Sequence, residues 1–164
     1  MRTRFLLAAT AACTAAVLSV GSALAQAPSN PRFGSWKLKS ENAPPQSNIM
    51  TYEAYNGTGM KVRIDTVSAA GAKGGWGYIT MFDGKDEAVE GRQGNTSAVR
   101  MVNDKINEIV NKTNGRVTQF LVNVLSADNT SIEVSYYSTN AQGVTNVTHA
   151  TYEKLPAGGA PLVR

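Results

Sequence analysis

Apolar and polar residues alternate with a period of two through most of this chain. In residues 59–67, GMKVRIDTV, the apolar residues Met60, Val62 and Ile64 alternate with the charged residues Lys61, Arg63 and Asp65. The same alternation recurs in residues 75–82, 115–126, 131–138 and 144–154. A period of two places successive side chains on opposite faces of an extended chain, so each of these segments is predicted to be a β-strand with one buried face.

Short turn-forming sequences separate the predicted strands: Asn56-Gly57, the glycine-rich residues 71–75, Asp83-Gly84, Asn114-Gly115, Asp128-Asn129 and Gln142-Gly143. Strands joined by such short turns are antiparallel, because a parallel neighbour needs a crossover of about a dozen residues or more. The sequence therefore predicts an all-β domain, an antiparallel meander of about eight to ten strands. Closure into a barrel would remove the exposed strand edges.

Residues 96–115, TSAVRMVNDKINEIVNKTNG, fit two structures. Val99, Val102, Ile106 and Ile109 recur at helical spacing. The same residues also read as two strands, SAVRMV and KINEIVNK, that turn at Asn103-Asp104. Helical periodicity and the strand preference of Val and Ile conflict, so local evidence leaves the helix and the hairpin equally open.

The two ends of the chain differ from this pattern. Residues 1–25 have two arginines, an uncharged Ala- and Leu-rich run and a final Ala-Leu-Ala, which is typical of a cleaved Sec-type signal peptide of bacterial appearance. We expect a short linker at residues 26–32, a β-barrel domain at residues 33–155 and a flexible tail at residues 156–164. The predicted location is therefore periplasmic or secreted, with no integral membrane segment after cleavage.

Composition narrows the chemistry of the mature chain. The single cysteine, Cys13, lies inside the predicted signal peptide. Disulfides, thiolate metal ligands and a cysteine nucleophile are therefore excluded after cleavage. The formal net charge is +4, and Arg2 and Arg4 of the signal contribute two of these charges. Lys and Arg are otherwise scattered without a basic stripe, which argues against binding to nucleic acid.

The acidic stretch FDGKDEAVEG, residues 82–91, is the most distinctive motif. An EF-hand loop needs oxygen ligands at positions 1, 3 and 5 with Gly at position 6, but Gly84 stands second from Asp83 and Lys85 stands third. A glycosidase pair needs one acid in an apolar setting, which a hairpin tip does not provide. We interpret Asp83 and Gly84 as structural residues of a tight turn with solvated acids around it, and we predict no metal and no cofactor.

Two further groups carry candidate chemistry. His149 is the only histidine, and without a Gly-x-Ser-x-Gly motif or further metal ligands nearby we interpret it as a surface or structural residue. Aromatic side chains on the alternating strands are candidate ligand-binding residues inside a barrel. These are Trp76, Tyr78, Phe82, Phe120 and Tyr136. The same side chains would also suit a filled core.

A resemblance adds to this picture. Residues 34–36, GSW, followed by KLK, are similar to the Gly-x-Trp start of lipocalins and related calycin barrels. With FDGKDEAVEG, VLSADNTSIEVSY and the final YEKL, the chain resembles a family of uncharacterised exported bacterial lipocalin-like proteins over residues 33–155. The resemblance implies a calycin-like barrel, structural roles for Gly34 and for Trp36, which would close one end of the core, and two strands at residues 97–112. It implies no catalytic residues.

Three functions remain open. The first is an exported carrier of a small apolar ligand, which requires a cavity above about 300 Å³ lined by the aromatics. The second is an envelope structural or interaction module with a filled core and an exposed apolar patch near Tyr137, its protein partner unknown. The third and least favoured is an enzyme with a buried acid in the barrel mouth.

Overall fold

The computed structural model describes residues 30–40 and 46–157, and these form ten β-strands. The signal peptide and most of the tail predicted above lie outside this range. The strands are β1 Gly34–Leu38, β2 Ser47–Tyr55, β3 Gly59–Val67, β4 Lys73–Thr80, β5 Asp83–Ala88, β6 Asn95–Asn103, β7 Ile106–Thr113, β8 Arg116–Leu125, β9 Ser131–Thr139 and β10 Thr145–Lys154. No helix within this range is long and apolar enough to cross a membrane.

All ten strands belong to one antiparallel sheet, and β1 pairs with both β2 and β10. This pairing joins the two ends of the meander and leaves β4 and β5 as the edges of the sheet. The edges meet where Gly77 and Glu90 exchange backbone hydrogen bonds of 2.7 and 3.2 Å. The sheet is therefore a nearly closed barrel, which confirms the predicted all-β fold.

The ambiguous segment is a hairpin of β6 and β7, as the family resemblance implied. Val99 pairs with Ile109, and both side chains are buried in the barrel. The turn falls at residues 104–105, one residue later than predicted, and the Asn103 side chain accepts a 2.9 Å hydrogen bond from the Lys105 amide. The hairpin pairs with β5 on one side and β8 on the other, and this pairing favours strands over the helix that the local sequence also allowed.

The turn at residues 81–84 differs from the prediction of a tight hairpin. Positive φ angles fall at Phe82 (59°) and Gly84 (75°), and the Phe82 amide donates a 2.9 Å hydrogen bond to the Thr80 hydroxyl oxygen. After this turn β5 leaves β4 and pairs with β6 instead. The turn therefore separates the two edges of the sheet and does not join a paired hairpin.

One end of the barrel is tightly packed, and we call it the closed end. Trp36, Leu125 and Ile132 fill it with side chains that are at most 2% exposed. Gly34, at φ 121°, lets Lys154 pass close by, and the Lys154 ammonium lies 5.0 Å from the centre of the Trp36 ring. Arg32, the last residue of the predicted linker, is 1% exposed and is part of this packed end.

Candidate functional site

The opposite half of the barrel interior is hollow. A cavity of about 270 Å³ lies between strands β2, β3, β4, β7, β8, β9 and β10. Its apolar wall consists of the inward-facing side chains Met50, Val62, Ile64, Ile109, Leu121 and Val134. Alternation along each strand explains why these residues share one face, since each is two positions from another inward-facing side chain.

One aromatic and five polar side chains surround the outer part of the cavity, which we call the rim: Trp76, Asn48, Thr66, Arg92, Asn111 and Gln119. Ser97 donates to the Asn111 side-chain oxygen at 2.8 Å, and Asn111 donates to the Gln119 side-chain oxygen at 3.2 Å. The Arg92 guanidinium lies 4.4 Å from the Trp76 ring centre, and Arg92 is exposed. The rim therefore connects the cavity to solvent.

Two tyrosines and an asparagine form a hydroxyl and amide cluster in one wall. The Tyr152 hydroxyl is adjacent to the Tyr136 hydroxyl and the Asn48 amide, and burial raises the pKa of both tyrosines. The Asn48 side-chain oxygen is buried without a hydrogen-bond partner among the residues described. A buried acceptor of this kind costs about 1–3 kcal/mol unless a partner is supplied. This wall can therefore accept a hydrogen bond from a bound molecule.

A second polar group lies where the cavity meets the closed end, and we call it the floor. The Asn123 amide nitrogen donates a 3.1 Å hydrogen bond to the Tyr52 hydroxyl, and both side chains line the cavity. Behind them the Arg32 guanidinium donates to the Asn123 side-chain oxygen and, at 2.7 Å, to the Lys105 carbonyl. Burial raises the pKa of Tyr52 to about 12, against a smaller opposing effect of Arg32.

A larger hollow of about 610 Å³ adjoins the rim. It lies between the end of β1, the start of β2, the end of β3 and the start of β4, and it shares Asn48 and Thr66 with the interior cavity. Residues 41–45, which connect β1 to β2, are outside the described range. The interior cavity, with its aromatic lining and enclosed apolar wall, is therefore the better defined candidate site.

The five aromatic candidates from the sequence have different locations. Trp76, Tyr78 and Tyr136 line the cavity. Phe82 packs against the core from the turn after β4 and is not among the lining side chains. Phe120 lies on the outer face of the barrel, where its ring is 5.8 Å from that of Tyr137. Because Phe82 and Phe120 do not line the cavity, their locations argue against the predicted contact with a ligand.

The alternating pattern of β8 explains why Phe120 was wrongly predicted to face the barrel interior. Phe120, Val122 and Val124 form its more apolar face, which suggests a core position. The structure instead turns the other face inward, namely Gln119, Leu121, Asn123 and Leu125. A partly hollow interior tolerates amide side chains that a filled core would reject, so the apolar face of this strand is the outer one.

Sequence reasoning missed most of the polar residues of the site. Tyr52, Tyr152 and Asn123 lie in register with inward-facing apolar neighbours on their strands, and that periodicity is a signal that could have found them. Arg32 precedes β1 and belongs to no periodic pattern. Its role depends on contact with a residue 91 positions away, which the sequence does not reveal.

The other motifs lie outside the cavity. Asp83 pairs with Lys85 at 2.7 Å, and hydrogen bonds from Lys85 lower the pKa of the Asp83 carboxyl. Asp86 pairs with Lys112 at 2.7 Å. His149 is exposed, and its Nδ1 lies 3.1 Å from the Ser135 hydroxyl. Within residues 30–40 and 46–157, no three His, Cys, Asp or Glu side chains are grouped as metal ligands.

Comparison with known proteins gives the fold class. No family model and no curated protein matches the chain. Among solved structures, the wild-type fluorescent protein UnaG has a TM-score of 0.52 and 16% identity, with 75% of this chain and 96% of that chain covered. A point mutant of UnaG has a TM-score of 0.53 and 15% identity, covering 77% and 97%. At this identity the likeness shows a calycin-like barrel and nothing finer.

Proposed function

We propose that this chain is an exported carrier that binds one small, largely apolar molecule inside the barrel. The unfilled half of the interior is the observation that carries the proposal: it holds a cavity of about 270 Å³ behind a rim that reaches solvent. The signal-peptide pattern of residues 1–25 supports export. The resemblance to exported bacterial lipocalin-like proteins supports the same assignment.

The contrast between the two barrel ends supports a binding site rather than imperfect packing. At the closed end Trp36, Leu125 and Ile132 leave almost no side-chain surface accessible. Protein cores normally reach this density throughout, because an unfilled volume loses contacts on every side. Six apolar side chains nevertheless surround an unfilled volume at the other end. A ligand that fills it would restore those contacts.

The size and lining of the cavity indicate what kind of molecule fits. The cavity of about 270 Å³ lies just below the volume of about 300 Å³ that the sequence analysis required and that begins the usual range of ligand pockets, so it suits only a small molecule. Its apolar wall suits a compact hydrocarbon or aromatic body. The polar floor and rim suit one or two polar substituents, because polar groups buried without partners would cost binding free energy.

Native mass spectrometry of the protein purified from its own host, compared with the denatured mass, tests the proposal. We expect a mass surplus that disappears on denaturation. The variant Leu121→Trp places a larger ring in the cavity wall, and it should fold but lose the surplus. Val124→Trp adds the same ring on the outer face of the same strand, where Val124 is 37% exposed, and should keep it. A bare native mass in several preparations would overturn the carrier.

A second function has its own supporting observation. Phe120, Tyr137 and Val147 occupy paired positions on β8, β9 and β10 and form an apolar band on the outer face. Tyr137 is 36% exposed and Val147 is 47% exposed. Such a patch suits a protein-interaction module. A partner that dissociates from Tyr137→Ser but stays bound to Leu121→Trp would favour this alternative.

A further inference from the structure

We propose that the carrier selects an anionic ligand, whose acidic group accepts a hydrogen bond from the Tyr52 hydroxyl at the floor of the cavity. This inference rests on the proposed carrier function and specifies the chemistry of its ligand. Three observations carry it: a buried guanidinium without a carboxylate partner, a hydrogen-bonded connection from that group to the cavity, and a lining free of acidic side chains.

The Arg32 guanidinium is a buried charge held by neutral groups. Its side chain is 1% exposed, and it donates to the Asn123 side chain and to the carbonyls of Lys105 and Asn123. No Asp or Glu pairs with it among the residues described. Buried charges are normally paired, because several kcal/mol of hydration are lost on burial. An anion in the adjacent cavity would supply the missing negative charge.

Asn123 connects this charge to the cavity. It accepts from Arg32 through its side-chain oxygen and donates through its nitrogen to the Tyr52 hydroxyl at 3.1 Å. Consecutive hydrogen bonds polarise one another, so the positive charge of Arg32 makes the Tyr52 hydroxyl a stronger hydrogen-bond donor. Arg32 itself does not line the cavity, whereas Asn123 and Tyr52 do. Tyr52 is therefore the group that a ligand can touch.

The Tyr52 hydroxyl donates its hydrogen bond to a poor acceptor. It lies 2.8 Å from the Met50 sulfur, and a thioether accepts hydrogen bonds only weakly. A carboxylate or sulfonate oxygen would be a much stronger acceptor, since charge-assisted hydrogen bonds are about twice as strong as neutral ones. Exchange of the sulfur for an anionic oxygen would therefore favour binding.

The lining adds no opposing charge. None of the described side chains that line the cavity is Asp or Glu, and the one charged residue among them is Arg92 at the rim. Arg32 is buried and therefore weakly screened, so it gives the floor of the cavity a positive potential, and the exposed Arg92 adds a smaller, more strongly screened contribution at the rim. A neutral or anionic molecule can enter, whereas a cation would be repelled from both ends.

Two fluorescent probes with the same aromatic body test the inference on the full mature chain. Anilinonaphthalene sulfonate carries a negative charge at all working pH values, and phenylnaphthylamine is its neutral counterpart. We expect the sulfonate to bind at least about tenfold more tightly, which corresponds to one strong hydrogen bond. Physiological salt in the buffer limits attraction to surface charges.

Three variants locate the effect. Tyr52→Phe removes one hydroxyl and should lower sulfonate affinity about tenfold while leaving phenylnaphthylamine binding unchanged. Arg32→Gln, if the variant folds, should also lower the affinity for the sulfonate alone. If Arg32→Gln does not fold, the result for Tyr52→Phe tests the proposal by itself. Tyr55→Phe removes a hydroxyl from the same strand as Tyr52, at a position that is 38% exposed and outside the cavity lining, and it should leave both affinities unaltered.

The outcomes separate the two proposals. Equal or tighter binding of phenylnaphthylamine would overturn the anion preference and leave the carrier standing. A fourth variant, Arg92→Gln, tests the rim: a sulfonate preference lost in Arg92→Gln but kept in Tyr52→Phe would place the acidic group at the rim and overturn the assignment to Tyr52. Failure of both probes to bind, together with a bare native mass, would reject the carrier itself.

Discussion

The indole nitrogen of Trp36 donates a 2.8 Å hydrogen bond to the backbone carbonyl oxygen of Arg32. Both residues are almost fully buried, at 0% and 1% exposure. The bond fixes the chain before β1 across the closed end and holds the Arg32 side chain against Asn123. The Gly-x-Trp motif thus does more than fill the core, because it also positions the buried guanidinium beneath the cavity.

Trp36→Phe should lower the free energy of unfolding by about 2 kcal/mol, because it leaves a void and removes the hydrogen bond to the Arg32 carbonyl. Trp76→Phe is the matched change at the rim, where the side chain is only partly buried and should cost less than about 1 kcal/mol. Urea unfolding of both variants measures the difference. Equal losses of stability would contradict the assigned roles of the two tryptophans.

Gly77→Ala should destabilise the barrel by about 1–3 kcal/mol. An added Cβ would lie 2.7 Å from the Val62 carbonyl oxygen, at the point where β4 also bonds to Glu90. Gly74→Ala on the same strand would instead meet the Thr66 hydroxyl at 3.2 Å, and a side chain can move aside. The melting temperature of Gly77→Ala should be well below that of Gly74→Ala. The reverse order would contradict the close approach of Gly77 to the Val62 carbonyl oxygen.

Two ion pairs on the barrel surface should differ in strength. Arg63 and Asp65 approach to 2.8 Å, and the Asp65 side chain is 8% exposed, whereas Asp86 in the pair with Lys112 is 40% exposed. Asp65→Asn should therefore cost about 1–2 kcal/mol and Asp86→Asn less than about 1 kcal/mol. Urea titrations with and without added salt measure both. A larger loss for Asp86→Asn would refute the ranking.

Alkaline pH should unfold the barrel through its buried tyrosines. Burial raises the pKa of Tyr52 from 10.0 to about 12 and raises the pKa of Tyr78 and Tyr136 as well. The unfolded chain loses these protons more readily, so their contribution to stability is complete below pH 10 and falls as pH rises from about 10 toward 12. Far-ultraviolet circular dichroism should show the loss of strands in this window, and Tyr52→Phe should move the midpoint upward. A midpoint that Tyr52→Phe leaves in place would exclude Tyr52 from the transition.

The sequence predicted the fold better than the site for a physical reason. Strands and turns are local properties, and alternation with Asn-Gly turns was enough to define the meander. Asn114 and Gly115, the two-residue turn between β7 and β8, have φ angles of 50° and 77°, as such a turn requires, and Asn56 has a φ of 41° in the three-residue turn between β2 and β3. The orientation of β8 depends instead on what fills the barrel, and its own pattern pointed the wrong way.

The buried polar residues were hidden for a related reason. Arg32 and Asn123 are ordinary polar residues in the sequence, and only the closure of the barrel brings their side chains together. Trp76, Tyr78 and Tyr136 line the cavity because large aromatic side chains at inward positions suit a core or a cavity wall alike, and their contact with a ligand stays a prediction. The sequence therefore predicted part of the aromatic lining of the cavity but not the buried charge behind it.

The two tryptophans allow ligand binding to be located by fluorescence. Trp76 lines the cavity and stacks near Tyr78, with ring centres 6.1 Å apart, whereas Trp36 lies in the packed closed end. In the variant Trp36→Phe, the remaining Trp76 emission should change as the sulfonate or the neutral naphthylamine fills the cavity. In Trp76→Phe, the emission of Trp36 should change far less at the same occupancy, because Trp36 does not line the cavity. An equal response from both variants would place the bound probe elsewhere on the barrel.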